Sequence, residues 1–135
     1  MLFPKKTKYR KAHKLKNLGK ATSMTSVDFG DHGLKTLESS WITARQIEAA
    51  RKVMTRYTRK GGKIWIRIFP DMPITKKGGE IPMGKGKGPV DHYIAAVKAG
   101  TVMFEMGGIS EEMSREAMNL AAYKLPVKCK IVNKN

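Results

Sequence analysis

The fold is decided by residues 43–69, which read TARQIEAARKVMTRYTRKGGKIWIRIF. Apolar residues recur at helical spacing before the two glycines and alternate along the chain after them. Thr43, followed three residues later by Gln46, is a capping-box pattern that marks the start of a helix. The helix is predicted to run to about Arg59, and residues 63–69 are predicted to form a central strand because both faces are bulky.

The predicted helix has two unlike sides. At about 100° per residue, one side is apolar and would pack on the core; it holds Ile47, Ala50, Val53, Met54 and Tyr57. The opposite side carries the basic residues Arg45, Lys52, Arg56 and Arg59. Glu48 is the only acid in the helix, so salt bridges along the helix do not explain this basic side. An ordinary solvated face is the alternative, but contact with phosphates is favoured.

The rest of the chain is predicted to form short strands and one more helix. We expect a hairpin over residues 26–37, a tight hairpin of strands 92–97 and 101–106, a helix capped by Ser110 and a final strand over residues 127–131. The apolar side of the second helix is predicted to hold Met113, Ala117, Leu120 and Ala121. This order indicates one α+β domain with a mostly antiparallel sheet and two helices.

Net charge is the strongest compositional signal. The 135 residues include 27 Lys and Arg against 11 Asp and Glu, a formal net charge of +16. Binding a polyanion would relieve this self-repulsion; nucleic acid is the first candidate, and an anionic membrane surface is the alternative. No apolar run approaches the ~20 residues of a membrane-spanning helix.

The charge is unevenly distributed. Residues 1–20 contain no acid and eight basic residues: Lys5, Lys6, Lys8, Arg10, Lys11, Lys14, Lys16 and Lys20. Residues 1–24 are therefore predicted to be an extended basic arm that orders on RNA phosphates, with a solvated tail as the alternative. The domain proper would occupy residues 25–135. Residues 101–125 hold four acids and only two basic residues, so that part is expected to face solvent or protein.

Residues 70–89 show no periodicity and are rich in Gly, Pro and Lys. A loop of this length is usually functional or disordered. Its tip reads Met83, Gly84, Lys85, Gly86, Lys87 and Gly88, which combines close backbone approach with phosphate neutralisation. The tip also imitates a nucleotide-binding P-loop, but Gly86 stands where Ser or Thr would hold Mg²⁺, so an ATPase is disfavoured.

Catalytic and metal-binding patterns are not found in the sequence. His13, His32 and His92 lack metal-ligand spacing with one another and with Cys129. Cys129, as the single cysteine, cannot form an intramolecular disulfide and is predicted to be a buried structural thiol. We therefore expect no catalytic residue, no metal, no cofactor and no small-molecule substrate.

Several blocks together resemble the L-sixteen family of bacterial-type large-subunit ribosomal proteins. They occur in family order along nearly the whole chain, at residues 4–11 (PKKTKYRK), 43–51 (TARQIEAAR), 64–71 (IWIRIFPD), 83–88 (MGKGKG) and 124–128 (KLPVK). Many bacterial members carry Arg before the Met of the fourth block and some hydroxylate it; here that position is Pro82, so the modification does not carry over.

The resemblance implies both a fold and a role. The fold would be α/β-hammerhead-like, with the basic arm and helix binding large-subunit rRNA. The loop at residues 83–88 would approach the A- and P-site tRNAs near the peptidyl transferase centre. Neighbouring ribosomal proteins would be further partners, and the protein would support late assembly on a bacterial, or organellar, ribosome without being an enzyme. A free-standing nucleic-acid binder and an enzyme acting on nucleic acid are the alternatives. The long Gly-Lys loop and the basic arm argue against the first, because both need a preformed partner to order them, and the missing metal or acid–base site argues against the second.

Overall fold

The structure is a computed structural model that describes residues 2, 21, 24–59, 61–75 and 90–134. These residues form seven strands and two helices in one α+β domain, as predicted. Their order is β1 (His32–Thr36), β2 (Ser40–Thr43), α1 (Ala44–Thr58), β3 (Lys63–Ile66), β4 (Met72–Thr75), β5 (Val90–Val97), β6 (Val102–Gly107), α2 (Glu111–Ala122) and β7 (Cys129–Asn133).

The strands form two antiparallel sheets. The first has four strands in the order β3-β6-β1-β7, and the second has three in the order β2-β5-β4. The two helices pack against each other, α2 contacts β1 and β7, and α1 contacts β3, β2 and β5. One apolar core, which includes Leu34, Ile47 and Phe104, joins both helices to both sheets.

The start of α1 confirms the predicted capping box. The Thr43 hydroxyl accepts a hydrogen bond from the Gln46 backbone N–H at 3.1 Å, and the Gln46 side-chain oxygen accepts one from the Thr43 N–H at 2.9 Å. Two backbone donors that the helix cannot satisfy are thereby paired. The cap fixes where α1 begins, and burial of Ile47, Ala50 and Met54 in the core sets the direction in which its basic side faces.

The second helix begins at its predicted cap, but its buried side differs from the prediction. Ser110 accepts a hydrogen bond from the Met113 N–H at 3.2 Å. Met113 and Leu120 were expected in the core, yet they are 41% and 43% exposed. The buried residues are Ser114, Ala117, Met118 and Ala121. Three of these four are small, which allows α1 and α2 to approach closely.

Both predicted hairpins are wrong. In the first, residues 26–31 form no strand, because the backbone N–H groups of residues 28–30 bind the Glu105 side chain and not a partner strand. In the second, the turn is present, with Thr101 N–H donating to the Lys98 carbonyl at 3.1 Å, but the strands diverge. β5 and β6 lie in different sheets, since the residues that follow the turn bond to Thr36 of β1.

Two further expectations need correction. The strand after the two glycines, β3, is an edge strand and not a central one. The bulky residue on its second face, Trp65, does not face a second core. Its ring stacks with that of Phe29, with the ring centroids 6.4 Å apart. The loop predicted at residues 70–89 contains strand β4, in which Pro73 is tolerated because β4 is an edge strand. Residues 76–89 and 1–20, apart from residue 2, lie outside the described residues.

Strand β6 is buried along its whole length. The helices cover one face of the four-stranded sheet, where Phe104 of β6 lies beside Leu34 of β1. The other face, which we call the outer face, is covered around Glu105 by residues 24–30, which we call the cover segment. Gly33 on β1 permits this cover, because a Cβ atom there would lie 2.8 Å from Val27.

Candidate nucleic-acid interface

The structure brings the four predicted basic residues, three in α1 and Arg59 at its C-cap, to one exposed face. All four side chains are exposed, on the side of the helix opposite the buried residues Ile47, Ala50 and Met54. They are Arg45, Lys52, Arg56 and Arg59. Within the described part of the chain, none of the four lies within 4.0 Å of a carboxylate. We call these four residues the basic face of α1.

The single acidic residue of α1, Glu48, forms an ion pair with Arg51 and not with a residue of the basic face. Glu48 accepts a hydrogen bond from Arg51 Nε at 3.1 Å, and a second one from Arg51 Nη2. This hydrogen bonding by Arg51 lowers the pKa of the Glu48 carboxyl and raises the pKa of the Arg51 guanidinium. The pair neutralises itself, so the charge of the basic face is left for a partner outside the helix.

The other predicted site residues belong to two segments, the arm and the loop tip. The basic residues of the arm, Lys5, Lys6, Lys8, Arg10, Lys11 and Lys14, lie outside the described residues. So do the residues of the loop tip, Met83, Gly84, Lys85, Gly86, Lys87 and Gly88.

The structure adds basic residues that sequence reasoning did not single out. Lys35 on β1 and Lys130 on β7 are direct cross-strand partners on the outer face of the four-stranded sheet. The alternation in residues 127–131 indicated which β7 side chains face outward. The pairing of β1 with β7 was the missing information, because nearly the whole domain separates the two strands in the chain.

The outer face also carries a buried ion pair that holds the cover segment. Glu105 is fully buried, and its Oε1 accepts backbone hydrogen bonds from Asp28, Phe29 and Gly30 at 3.1, 2.7 and 2.8 Å. Its Oε2 accepts a hydrogen bond from Arg67 Nη1 at 2.9 Å. Both oxygens of this buried carboxylate are therefore hydrogen-bonded, Oε1 to residues 28–30 and Oε2 to Arg67.

The remaining reactive groups behave as structural ones. Cys129 is half-buried against the core, and its thiol donates to the Val127 carbonyl at 3.5 Å. Burial, with a smaller contribution from the Glu38 carboxylate, raises the pKa of the thiol to about 11. Among the described residues, no three His, Cys, Asp or Glu side chains are grouped so as to hold a metal ion. The described helices include none that is long and apolar enough to cross a membrane.

The fold and the charge together define a class of protein. A chain of net charge +16 that folds into a small α+β domain, with an exposed helix face whose cations have no carboxylate partner among the described residues, has the features of a nucleic-acid-binding protein. Comparison with known proteins narrows the class. The profile of the family described as "Ribosomal protein L16p/L10e" matches residues 4–132.

Individual relatives agree with the family match. The chain is 60% identical over 134 residues to the large ribosomal subunit protein uL16 of Spiroplasma citri, covering 99% of this chain and 98% of the relative. The uL16 protein of Spiroplasma kunkelii matches with the same identity and coverage. The uL16c protein of Thalassiosira pseudonana is 55% identical over 132 residues, covering 98% and 96%. The chain therefore belongs to the ribosomal protein L16p/L10e family, whose members are structural constituents of the large ribosomal subunit.

Proposed function

We propose that this protein binds large-subunit rRNA through the basic face of α1 and the N-terminal arm. We further propose that the loop at residues 70–89 supports the positioning of A- and P-site tRNA near the peptidyl transferase centre, and that the protein acts late in subunit assembly. The observation that carries the proposal is the basic face itself, with four exposed cations on one rigid helix and no carboxylate partner among the described residues.

The geometry of α1 suits a polyanion. From Arg45 to Arg59 the helix axis rises about 21 Å at 1.5 Å per residue. The apolar side is packed on the core and the N-terminus is capped, so the backbone under these cations is already ordered. Binding therefore has to order only the side chains, which lowers the entropic cost of the contact. Lys52 and the three arginines can each neutralise a phosphate and release a counterion.

The exposed side of α2 is proposed to face a neighbouring ribosomal protein. Met113, Leu120 and Tyr123 are exposed on this side, Tyr123 to 84%. Glu112 and Glu116 flank them, and both are exposed. Carboxylates repel RNA phosphates, whereas an apolar surface with an acidic border complements a basic protein segment.

The test compares matched pairs of substitutions. Lys52→Gln with Arg56→Gln removes one Lys and one Arg from the basic face. Arg115→Gln with Lys124→Gln removes the same two residue types from the region of α2. Both variants should fold, because all four side chains are exposed. The α1 variant should be lost from large subunits in a high-salt wash that the α2 variant and the parent protein survive.

Replacing all four residues of the basic face with Gln should lower incorporation into large subunits further, with folding preserved. If this variant folds and incorporates as well as the parent, the basic face is only solvated and the proposal is wrong. Co-sedimentation also separates the alternative function, since a free-standing nucleic-acid binder would dissociate from large subunits in the same wash.

A further inference from the structure

The outer face of the four-stranded sheet holds a second, separate cluster of cations. Lys35 and Lys130 are directly opposite each other on neighbouring antiparallel strands, so their side chains leave the same face of the sheet. The preceding pair in the register, Leu34 and Ile131, points into the core. The two lysines therefore lie on the face turned away from both helices, and they do not continue the basic face of α1.

This arrangement is unfavourable in the protein alone. Cβ atoms of directly opposite residues are about 4.5–5.5 Å apart, and like charges at that separation destabilise the sheet. Strand β6, on the other side of Lys35, offers Val102 at the same level and no carboxylate. In the part of the chain that the structure describes, neither lysine has an acid within 4.0 Å. An anion between the two ammonium groups would turn this repulsion into attraction.

A cleft is present where that anion would lie. It is open to solvent, has a volume of about 400 Å³, and is lined by residues of the cover segment and of strands β1 and β7. The lining residues are Thr25, Ser26, Val27, Lys35, Lys130, Ile131, Val132 and Asn133. We call this space the outer cleft. Both lysines line the cleft, where Lys35 is half-buried and Lys130 is exposed.

The wall of the outer cleft is fixed in place before any ligand binds. Val27 is buried against Gly33, and the three residues that follow Val27 donate their backbone N–H groups to Glu105. The Ser26 carbonyl accepts from Arg67 at 2.6 Å. The Ser26 hydroxyl donates to Asp28, which leaves the hydroxyl of Thr25 as the donor available to a ligand from this wall.

We propose that the outer cleft binds a phosphate group of an RNA backbone, with Lys35 and Lys130 as its cationic ligands and the Thr25 hydroxyl as a further donor. This deepens the proposed function by adding a phosphate contact on the side of the protein opposite the helices. The cleft is an open groove and not an enclosed pocket, which suits a phosphate that belongs to a continuous chain. Lys128, two residues before Lys130 in the chain, is a further exposed cation.

The first measurement is the salt dependence of binding to full-length large-subunit rRNA. Lys35→Gln with Lys130→Gln should reduce the slope of log K against log salt by about 1, because the two lysines share one phosphate and each neutralised phosphate accounts for about 1. Lys98→Gln with Lys124→Gln removes two exposed lysines elsewhere and should leave the slope unchanged. An unchanged slope in the first variant, or an equal fall in the second, would overturn the assignment.

The second measurement is thermal unfolding of the protein without RNA. Relief of repulsion should leave the melting temperature of the Lys35→Gln, Lys130→Gln variant at or above that of the parent at low salt, and added salt should shrink the difference. A marked fall in the melting temperature would show that the lysines stabilise the strands, which contradicts the proposal. The single exposed substitution Lys130→Gln provides the same test with less perturbation.

Two controls identify the source of the phosphate and separate this inference from the proposed function. Inorganic phosphate is compared with chloride at equal ionic strength in the thermal unfolding assay. One possible result is that phosphate raises the melting temperature of the parent but not that of the Lys35→Gln, Lys130→Gln variant, while the salt slope of rRNA binding is the same for both proteins. The cleft would then bind a free anion, and the RNA assignment would be wrong. Measuring Lys52→Gln with Arg56→Gln in the same rRNA assay tests the basic face of α1 independently, so either surface can fail while the other stands.

Discussion

Arg67 Nη1 lies 2.9 Å from Glu105 Oε2, and this ion pair connects the residue that follows strand β3 to a fully buried carboxylate of β6, which in turn holds the cover segment. Arg67 also donates to the Ser26 carbonyl at 2.6 Å and to Asp28 at 2.9 Å. The guanidinium lies over the Phe29 ring, 5.4 Å from its centroid. One arginine therefore contacts three residues of the cover segment as well as Glu105.

Removing Arg67 should destabilise the fold strongly. Arg67→Met would leave the Glu105 carboxylate buried and without its cation, and uncompensated buried charges of this kind cost about 3–5 kcal/mol. Three backbone N–H bonds to Glu105 remain, so we expect the lower end of that range. Chemical denaturation of the free protein measures the loss. Asp28→Asn is the matched control, because its carboxylate is 52% exposed and an ion pair there contributes about 1 kcal/mol or less. Equal losses in the two variants would contradict this account.

Local signals predicted the elements well, and long-range pairing could not be predicted in the same way. The capping box at Thr43 and the cap at Ser110 are properties of a few neighbouring residues, and both are confirmed. The hairpin predicted over residues 26–37 failed because the backbone N–H groups of residues 28–30 bind the carboxylate of Glu105, which lies at least 75 residues away in the chain. No local pattern contains that information.

In the candidate site, too, local patterns predicted some residues, while others depend on long-range strand pairing. The basic face of α1 follows from helical periodicity alone, so the sequence predicted it residue by residue. Lys35 and Lys130 become neighbours only through the register of β1 with β7. Met113 and Leu120 were placed wrongly because helical periodicity and residue type do not tell which helix packs against which, and the α1–α2 contact favours small residues such as Ser114 and Ala117.

Loss of the α1 cap should weaken the protein moderately. Thr43→Ala removes the oxygen that accepts the Gln46 N–H, and removal of such a cap costs about 1 kcal/mol. Thr55→Ala is the control in the same helix. The Thr55 hydroxyl donates to the Arg51 carbonyl, which also accepts a backbone hydrogen bond within α1, so its loss leaves no group unpaired. Ala also has a higher helix propensity than Thr. Urea unfolding should rank the Thr43 variant below the parent and the Thr55 variant at or above it. The reverse order would show that the cap does not stabilise α1.

The Cys129 thiol should be unreactive at neutral pH. Burial raises its pKa from 9.0 to about 11. The thiolate is the nucleophile, and in the folded protein it therefore forms at a higher pH than in an unfolded chain. Because the folded-state pKa is the higher one, the stability linked to this group is fully present below pH 9 and is lost as the pH rises through about 11. The rate of alkylation by iodoacetamide against pH measures both states, with the urea-unfolded protein as control. Coincident profiles would show that the thiol is not protected.

The basic arm should bind through charge. Residues 1–20 carry eight basic residues and no acid, so their removal should weaken rRNA binding and flatten its salt dependence, because fewer counterions are released. The salt titration that tests the outer cleft serves here as well. A truncated protein with the salt slope of the parent would show that the arm does not contact phosphates, whatever its effect on affinity.

The loop tip is expected to act on tRNA and not on assembly. Its lysines, Lys85 and Lys87, alternate with glycines, which allow the backbone to come close to a partner. Replacing both lysines with Ala should leave incorporation into large subunits nearly normal, because the arm and the basic face of α1 still bind rRNA. Accommodation of A-site tRNA should slow, because two phosphate-neutralising charges are lost where the tRNA is proposed to pass. Replacement of Lys76 and Lys77 with Ala removes the same charge from the same loop away from the tip, and it should slow accommodation less. Single-turnover peptide-bond formation on purified variant ribosomes measures the rate per finished particle. If the Lys85, Lys87 variant fails to assemble yet its finished ribosomes react at the normal rate, the loop tip is an rRNA anchor and its assignment to tRNA positioning is wrong.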